Sequence, residues 1–277
     1  MMAGVTHLGK MTWPEVNEAV RQEKVVLIPA GAMEQHGPHL PVDTDILLPT
    51  SLCEAAAAKA PELFVTAFCI PYGFNEHNME FPGTVHIGWD TFVNYCTDAA
   101  SSFARMGFRN IVFVNGHGSN AILLETAARL VTMRTKAKCA MVSWFSLGTG
   151  EIRKVRQSEM PGGMSHACEL ETSVYMHFAP EDVRTSEIRK EIWNSKSRFF
   201  AWDLMAPSPV RLVNERSRTS HSGVRGDPTL ATAEKGKRIA DAVVDELIEV
   251  GRDLKALDVE LLPATSHIVR GDGDRSD

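Results

Sequence analysis

The sequence predicts an α/β fold, a single doubly wound, mostly parallel sheet with helices on both faces. Two observations predict it. Apolar runs of strand length alternate with longer stretches at helical spacing across the first half of the chain, the order that builds a parallel sheet covered by helices. Two of those runs also end in glycine-containing loops crowded with carboxylates and imidazoles, AGAMEQHGPHLPVDTD and NGHGSN. Ligands in open α/β sheets gather outside the carboxyl ends of strands.

The elements follow in order. Thr12-Trp13-Pro14-Glu15 starts a helix that runs to about Arg21: Thr12 caps it, Pro14 suits the first turn, and Glu15 completes a capping box. Val25–Pro29 is the first strand, Ile46–Ala60 a helix rich in Leu and Ala, and Leu63–Ile70 a second strand. Glycines and prolines break any period across residues 71–84, which form a loop. A helix over Trp89–Met106, a strand over Arg109–Val114, a helix over Ala121–Thr135 and a strand over Ala137–Phe145 repeat the pattern. No period is clear in residues 146–165, and helical spacing returns over His166–Phe178. Residues 180–227 are irregular and too long for a simple connection, so a functional loop or a subunit contact is expected there. A long amphipathic helix over Thr229–Leu257, capped by Asp227-Pro228, closes the fold. Residues 1–265 are expected to form one domain, and residues 266–277 a disordered polar tail.

With 277 residues, 44% hydrophobic and 23% charged, the chain has the balance of a soluble protein with a large core. A net charge of −6 leaves no basic surplus for phosphates, so neither nucleic acid nor an anionic membrane is an expected partner. No apolar run approaches the roughly 20 residues needed to span a bilayer, and no secretory signal is visible, so a cytoplasmic protein is expected. The five cysteines are odd in number and lack CxxC spacing, which fits reduced, mostly buried thiols.

Glu34, His36 and Asp45 can face one cavity from the first loop, and an Asp carries two oxygens that can bridge two metal ions. The alternative is a loop of solvated charges. His117, between Gly116 and Gly118 at a second strand end, favours the metal reading, since flanking glycines let the backbone approach and aim the imidazole. The third cluster is SHACELETS, residues 165–173. Its Glu169 and Glu171 are two apart and cannot share a helical face, and acidic side chains in a first turn are also favoured by the helix dipole alone. His166 is a candidate general acid or base. No sequence feature lowers the pKa of Cys168 toward a nucleophilic thiol.

MEQHGPHLPVDTD, FPGT, NGHGSN, HACELETS and GVRGDPTLATAEKG together resemble the creatininase (creatinine amidohydrolase) family, in family order over nearly the whole chain. The resemblance implies a creatininase-like doubly wound fold, commonly a hexamer, and hydrolysis of a carbon–nitrogen bond, often in a ring. It also implies two divalent metal ions, zinc, manganese or iron, whose shared water is acidified enough to supply hydroxide at pH 7. On it, Glu34 and His117 hold one metal, His36 the other, Asp45 bridges both, and His166 is the catalytic histidine. Creatinine-hydrolysing members carry a Glu two residues after the NGH histidine as the second metal's last ligand, where this chain has Ser119. They are apolar where this chain has Glu169, so Glu169 is the expected replacement and Glu171 its supporting neighbour. They also carry a Trp-Asp pair where this chain has Gly162-Gly163, and a Tyr in place of Gly118, so creatinine is not the expected substrate. Asn75, Glu76 and His77, with Ser119, are the expected substrate-binding groups. The expected activity is hydrolysis of a cyclic amide or formamide. The alternatives are carbon–carbon bond hydrolysis in a cyclic polyol ketone of dehydro-inosose type, and a non-catalytic, metal-stabilised binding protein.

Overall fold

The computed structural model describes residues 6–193, 197, 199–200, 202–206, 208–210, 212 and 215–257. The expected tail over 266–277 and the end of the expected domain, 258–265, lie outside the described residues. Four strands, β1 Val25–Ala30, β2 Phe64–Thr66, β3 Asn110–Asn115 and β4 Lys138–Ser143, form one parallel sheet in the order β2-β1-β3-β4. The helices around it are α1 Trp13–Arg21, α2 Thr44–Lys59, α3 Trp89–Met106, α4 Ala121–Arg134, α5 Thr149–Val155, α6 Glu169–Phe178 and α7 Ala233–Ala256.

Side chains alternate along a strand, so each buried strand feeds two cores. Val25 and Leu27 of β1, with Val112 and Val114 of β3, pack against Leu48 and Leu52 of α2, Val174 of α6 and Val243 of α7. Val26 and Ile28, with Ile111 and Phe113, pack on the other face against Phe92 and Cys96 of α3 and Leu124 and Val131 of α4. Each such side chain, fully buried, contributes roughly 1.5–3 kcal/mol. The two covered faces are what the sequence predicts.

The chain leaves β1 through α2 to β2, then returns through α3 to β3 on the other flank of β1. β1 and β3 are therefore the neighbours at which the winding reverses, where open sheets place ligands. Their register ends level, Ala30 against Asn115, so the loops after them begin side by side. The start of α2 sits directly on this double end. Pro49, inside α2, has no N–H to give the carbonyl of Asp45 four residues back. That carbonyl lies against Gly31 and Gly116: a Cβ on either would come within 2.3 or 2.2 Å of it. Two strand-end glycines and one helix proline thus let the first turn of α2 settle on the sheet and hold Asp45 over the switch point.

Several expected boundaries move. The apolar run Leu63–Ile70 yields only three strand residues: the ladder to β1 stops at Thr66, the chain turns outward and exposes Phe68, and Ile70 then returns to bridge Ala30. α5 is a seven-residue helix within the stretch where no period is clear. The helix expected from His166 begins at Glu169, since Ala167 has φ +49 and Cys168 is extended. His166 instead ends a short strand, β5 Met164–His166, paired antiparallel with β6 Arg225–Gly226. Asp227-Pro228 caps a single 3-10 turn, and α7 starts later at Ala233 with Thr232 as its cap.

Candidate metal centre

Loop 31–43 carries Glu34 and His36 back over the switch point, and Asp45 comes from the first turn of α2. His117 comes from the loop after β3, His166 from the end of β5, and Glu171 from the first turn of α6. All six are buried. Asp45 stands between two partners, with Oδ1 3.2 Å from His36 Nε2 and Oδ2 2.8 Å from His117 Nδ1. His117 Nδ1 is also 2.7 Å from Glu34 Oε2. The side chains form three overlapping groups, Glu34–Asp45–His117, His36–Asp45–Glu171 and Glu34–His36–His166, and within each the ligand-capable atoms lie within 4.8 Å of one another; the first two pair carboxylates with a single imidazole. Asp45 belongs to both.

The imidazole tautomers follow from the backbone. His36 Nδ1 donates to the Glu34 carbonyl oxygen at 3.1 Å, and His117 Nε2 donates to the Phe74 carbonyl oxygen at 3.1 Å. Each ring therefore turns its other nitrogen to the carboxylates, as histidine ligands do when a carbonyl fixes the outer nitrogen. A lone pair cannot rest against a carboxylate without a proton or a cation between them. His36 Nε2 is buried and makes no hydrogen bond to any described residue. Burial lowers the basicity of both rings, but the opposing charge wins: Asp45 foremost brings His36 to about 9, and Glu34 foremost brings His117 to about 10. Burial raises Glu171 to about 6 against the attraction of His36, with Asp45 and Glu34 adding to the rise. Three buried carboxylates thus call for positive charge, and the nearby fixed cation, Arg216, stands 3.7 Å from Glu34 Oε1. Nitrogen and oxygen donors without thiolate suit zinc, manganese or iron, so the residues present fit divalent metal ions.

His166 sits beside this cluster, its ring 4.3 Å from that of His36 and its Nε2 3.6 Å from Glu34 Oε1. Gln35 meets the same Nε2 twice, with its backbone oxygen at 2.8 Å and its side-chain Nε2 at 3.0 Å. The Gln35 amide is oriented by Gly223 O and the Gly37 N–H, so it presents a donor. Burial first, and then the charge of Arg216, hold His166 well below the ordinary histidine range.

Glu169 is elsewhere, which corrects the assignment expected from the departures. Its carboxylate accepts from the N–H groups of Gln157 and Ser158 and pairs with Lys235 Nζ at 2.5 Å, tying α6 to the ends of α5 and α7. Two residues along a helix is a turn of about 200°, so with Glu169 on that side Glu171 faces His36 and Asp45. Asn75 is also corrected: its amide is spent on the Met33 and Val85 carbonyls, holding the second loop together. Glu76 is exposed. His77 and Ser119 do line the rim, Nε2 to Oγ at 3.2 Å, with His77 stacked 6.3 Å from the ring of His117. Cys168 is buried and its thiol is pushed well up, by burial first and Glu171 second, which disfavours a thiolate. Sequence reasoning also missed Asn78, which donates to Glu34 Oε1 at 2.5 Å, and Arg216, whose Nε donates to Asn78 Oδ1 at 3.0 Å. Their only signal was an Asn three past Asn75 and an Arg in the irregular stretch.

A family model described as creatininase, creatinine amidohydrolase, matches residues 9–250. The chain belongs to the creatininase family. As a creatininase-family member it is a metal-dependent hydrolase, and its relatives carry different activities. It is 35% identical over 235 residues to a mycofactocin precursor peptide peptidase of Mycobacterium tuberculosis, covering 80% of this chain and 82% of that one. It is 27% identical to a 3-dehydro-scyllo-inosose hydrolase of Thermotoga maritima, over 88% of this chain and 82% of the other. To the creatinine amidohydrolase of Pseudomonas putida it is 24% identical, over 91% and 98%. A solved creatininase with manganese superposes with a TM-score of 0.77 at 22% identity, over 90% of this chain and 98% of that one, and another is of a Zn-Zn type. Among the described residues no helix is long and apolar enough to cross a membrane.

Proposed function

We propose that this creatininase-family protein is a two-metal amidohydrolase that cleaves the carbon–nitrogen bond of a peptide-type amide. The observation that carries the reading is Asp45, shared by two carboxylate–imidazole groups. Glu34 and His117 would hold one ion, His36 and Glu171 the other, and Asp45 would lie between them. When bound, such ions polarise a carbonyl and acidify water.

The chain's own groups supply the rest. His166 Nε2 finds the Gln35 carbonyl when it carries a proton and the Gln35 amide N–H when it does not, at 2.8 and 3.0 Å. A nitrogen satisfied in both states suits a group that takes a proton from the attacking water and passes it to the leaving nitrogen. Asn78 and Arg216 brace Glu34, and Arg216 also offsets part of the buried negative charge. The greater likeness to a peptidase supports an open-chain peptide bond over the cyclic amide expected at first. The polyol-ketone alternative loses the support of Asn75 and Glu76, which do not reach the cluster.

Manganese- or zinc-loaded protein incubated with a library of blocked peptides should release new amine, read by fluorescent amine labelling and mass spectrometry. Ring opening of an inosose to an acid, with no amine released from any peptide, would overturn the reading. Exchanging the two acidic residues of α6 separates their roles. Glu171→Gln should lower metal content from two equivalents to one. Glu169→Gln should keep both but lose about 1–3 kcal/mol of stability, because half-buried Lys235 loses its charged partner and keeps only the Gln157 and Leu230 oxygens. Elemental analysis and thermal melting read both results, and the opposite pattern would return the ligand role to Glu169.

A further inference from the structure

Arg225 lies on β6 as the cross-strand partner of His166. The pairing sets its backbone directly beside that of His166, on a ribbon whose register shifts between Met164 and His166. The residue is 5% exposed. Its guanidinium is held between two indoles, 4.9 Å from the ring centre of Trp193 and 5.0 Å from that of Trp202. Among the described residues no carboxylate pairs with it, and its buried Nε has no hydrogen-bond partner. The contrast is Arg156, with a similarly buried side chain, which meets both oxygens of Asp203 at 2.8 and 2.6 Å. Arg216 is also buried, with its Nη1 unpartnered, but it is turned to Asn78 and Glu34. Burial, then the charge of Arg216, bring Arg225 down to about 9, so it stays charged at neutral pH. Its charge is felt at His77 on the rim, adding to the effects of burial and Arg216 that bring that ring to about 3.

Burying a guanidinium without an anion is unfavourable. The indole faces compensate in part, and a guanidinium so placed can give a carboxylate the two parallel hydrogen bonds it accepts. We propose that Arg225, clamped between Trp193 and Trp202 beside His166, is a carboxylate-binding subsite that selects substrates with a free C-terminal carboxylate next to the cleaved amide. The proposal rests on the amidohydrolase reading above and narrows it to peptide ends. Arg216, with its spare nitrogen, supports the same charge from the cluster side.

The test uses three probes on metal-loaded protein: acetyl-Gly-Ala as the free acid, the same peptide as its C-terminal amide, and acetyl-Gly-Asp amide, whose carboxylate is in the side chain. Binding is read by tryptophan fluorescence, since Trp193 and Trp202 flank the site, and hydrolysis by amine release. The free acid should bind at least about tenfold more tightly than the amide, and Arg225→Met should abolish that preference while retaining its metal. Because Arg225→Met removes an unpaired buried charge, it should melt no lower than the parent protein; a purely structural arginine would lower the melting temperature. Tight, Arg225-dependent binding of acetyl-Gly-Asp amide would keep the carboxylate subsite and assign it to an acidic side chain. Equal affinity for acid and amide, or a preference that survives in Arg225→Met, overturns the subsite. Hydrolysis of acid and amide at equal rates overturns it while leaving the amidohydrolase reading intact. Acid-selective binding with no hydrolysis of any peptide does the reverse.

Discussion

Asp45→Ala is expected to strip both metal positions and to lower kcat for amide hydrolysis by on the order of 10,000-fold or more. Its two oxygens face different partners, Oδ1 toward His36 and Oδ2 toward His117, and it is the side chain common to the Glu34–Asp45–His117 and His36–Asp45–Glu171 groups. Losing Glu34 or Glu171 would weaken one position. Losing Asp45 weakens both and leaves His36 and His117 without the carboxylate that aims their inner nitrogens. Asp45→Asn keeps the shape and one acceptor oxygen, and should retain part of the metal with little activity. Elemental analysis beside the amine-release assay reads these outcomes. An Asp45→Ala protein that still holds two equivalents would remove Asp45 from the centre.

His166→Ala is expected to lower kcat by roughly 100- to 10,000-fold, the range for loss of one general acid–base group, with both metal equivalents kept and KM little changed. The opposing reading is that His166 is a ligand, because its ring also lies within reach of Glu34 and His36. The hydrogen bonds argue against it: its Nε2 is already engaged by Gln35 from two directions, whereas His36 Nε2 has no such partner. Loss of a metal equivalent from His166→Ala would make it a ligand. Gln35→Leu should show a milder form of the same defect, lowering kcat without removing metal.

The legible parts of this fold are those set by long, local patterns. β1 and β3 could be read because strands buried on both faces are continuously apolar, and α3 and α7 because their apolar faces repeat over many turns. The short pieces were not legible. A three-residue strand such as β5 has no period to detect, and it forms because β6, some sixty residues later, pairs with it. That tertiary pairing holds His166 at a strand end rather than on the helix. In the site, Glu34, His36, Asp45 and His117 were visible because strand ends concentrate them in two short loops. The choice between Glu169 and Glu171 was not, since either can open a helix, and the partners that hold Glu169 away from the cluster, the Gln157 and Ser158 N–H groups and Lys235, come from the ends of α5 and α7. Arg216 and Arg225 were hidden for a related reason. They lie in a stretch whose sequence has no readable period, although Arg225 falls on β6 and Arg216 in a 3-10 turn, and their meaning comes from the carboxylates and indoles that the fold brings to them. The two glycines and the proline that seat α2 were each visible as residues, but their shared target, the Asp45 carbonyl, appears only in three dimensions.

The most direct measurement is a metal titration of chelator-stripped protein, with amide hydrolysis followed as manganese or zinc is returned. A centre built on a shared Asp45 predicts no turnover without metal, and a rise that needs the second equivalent per chain to reach its plateau. Full turnover in the stripped protein, or a plateau at one equivalent, would contradict it.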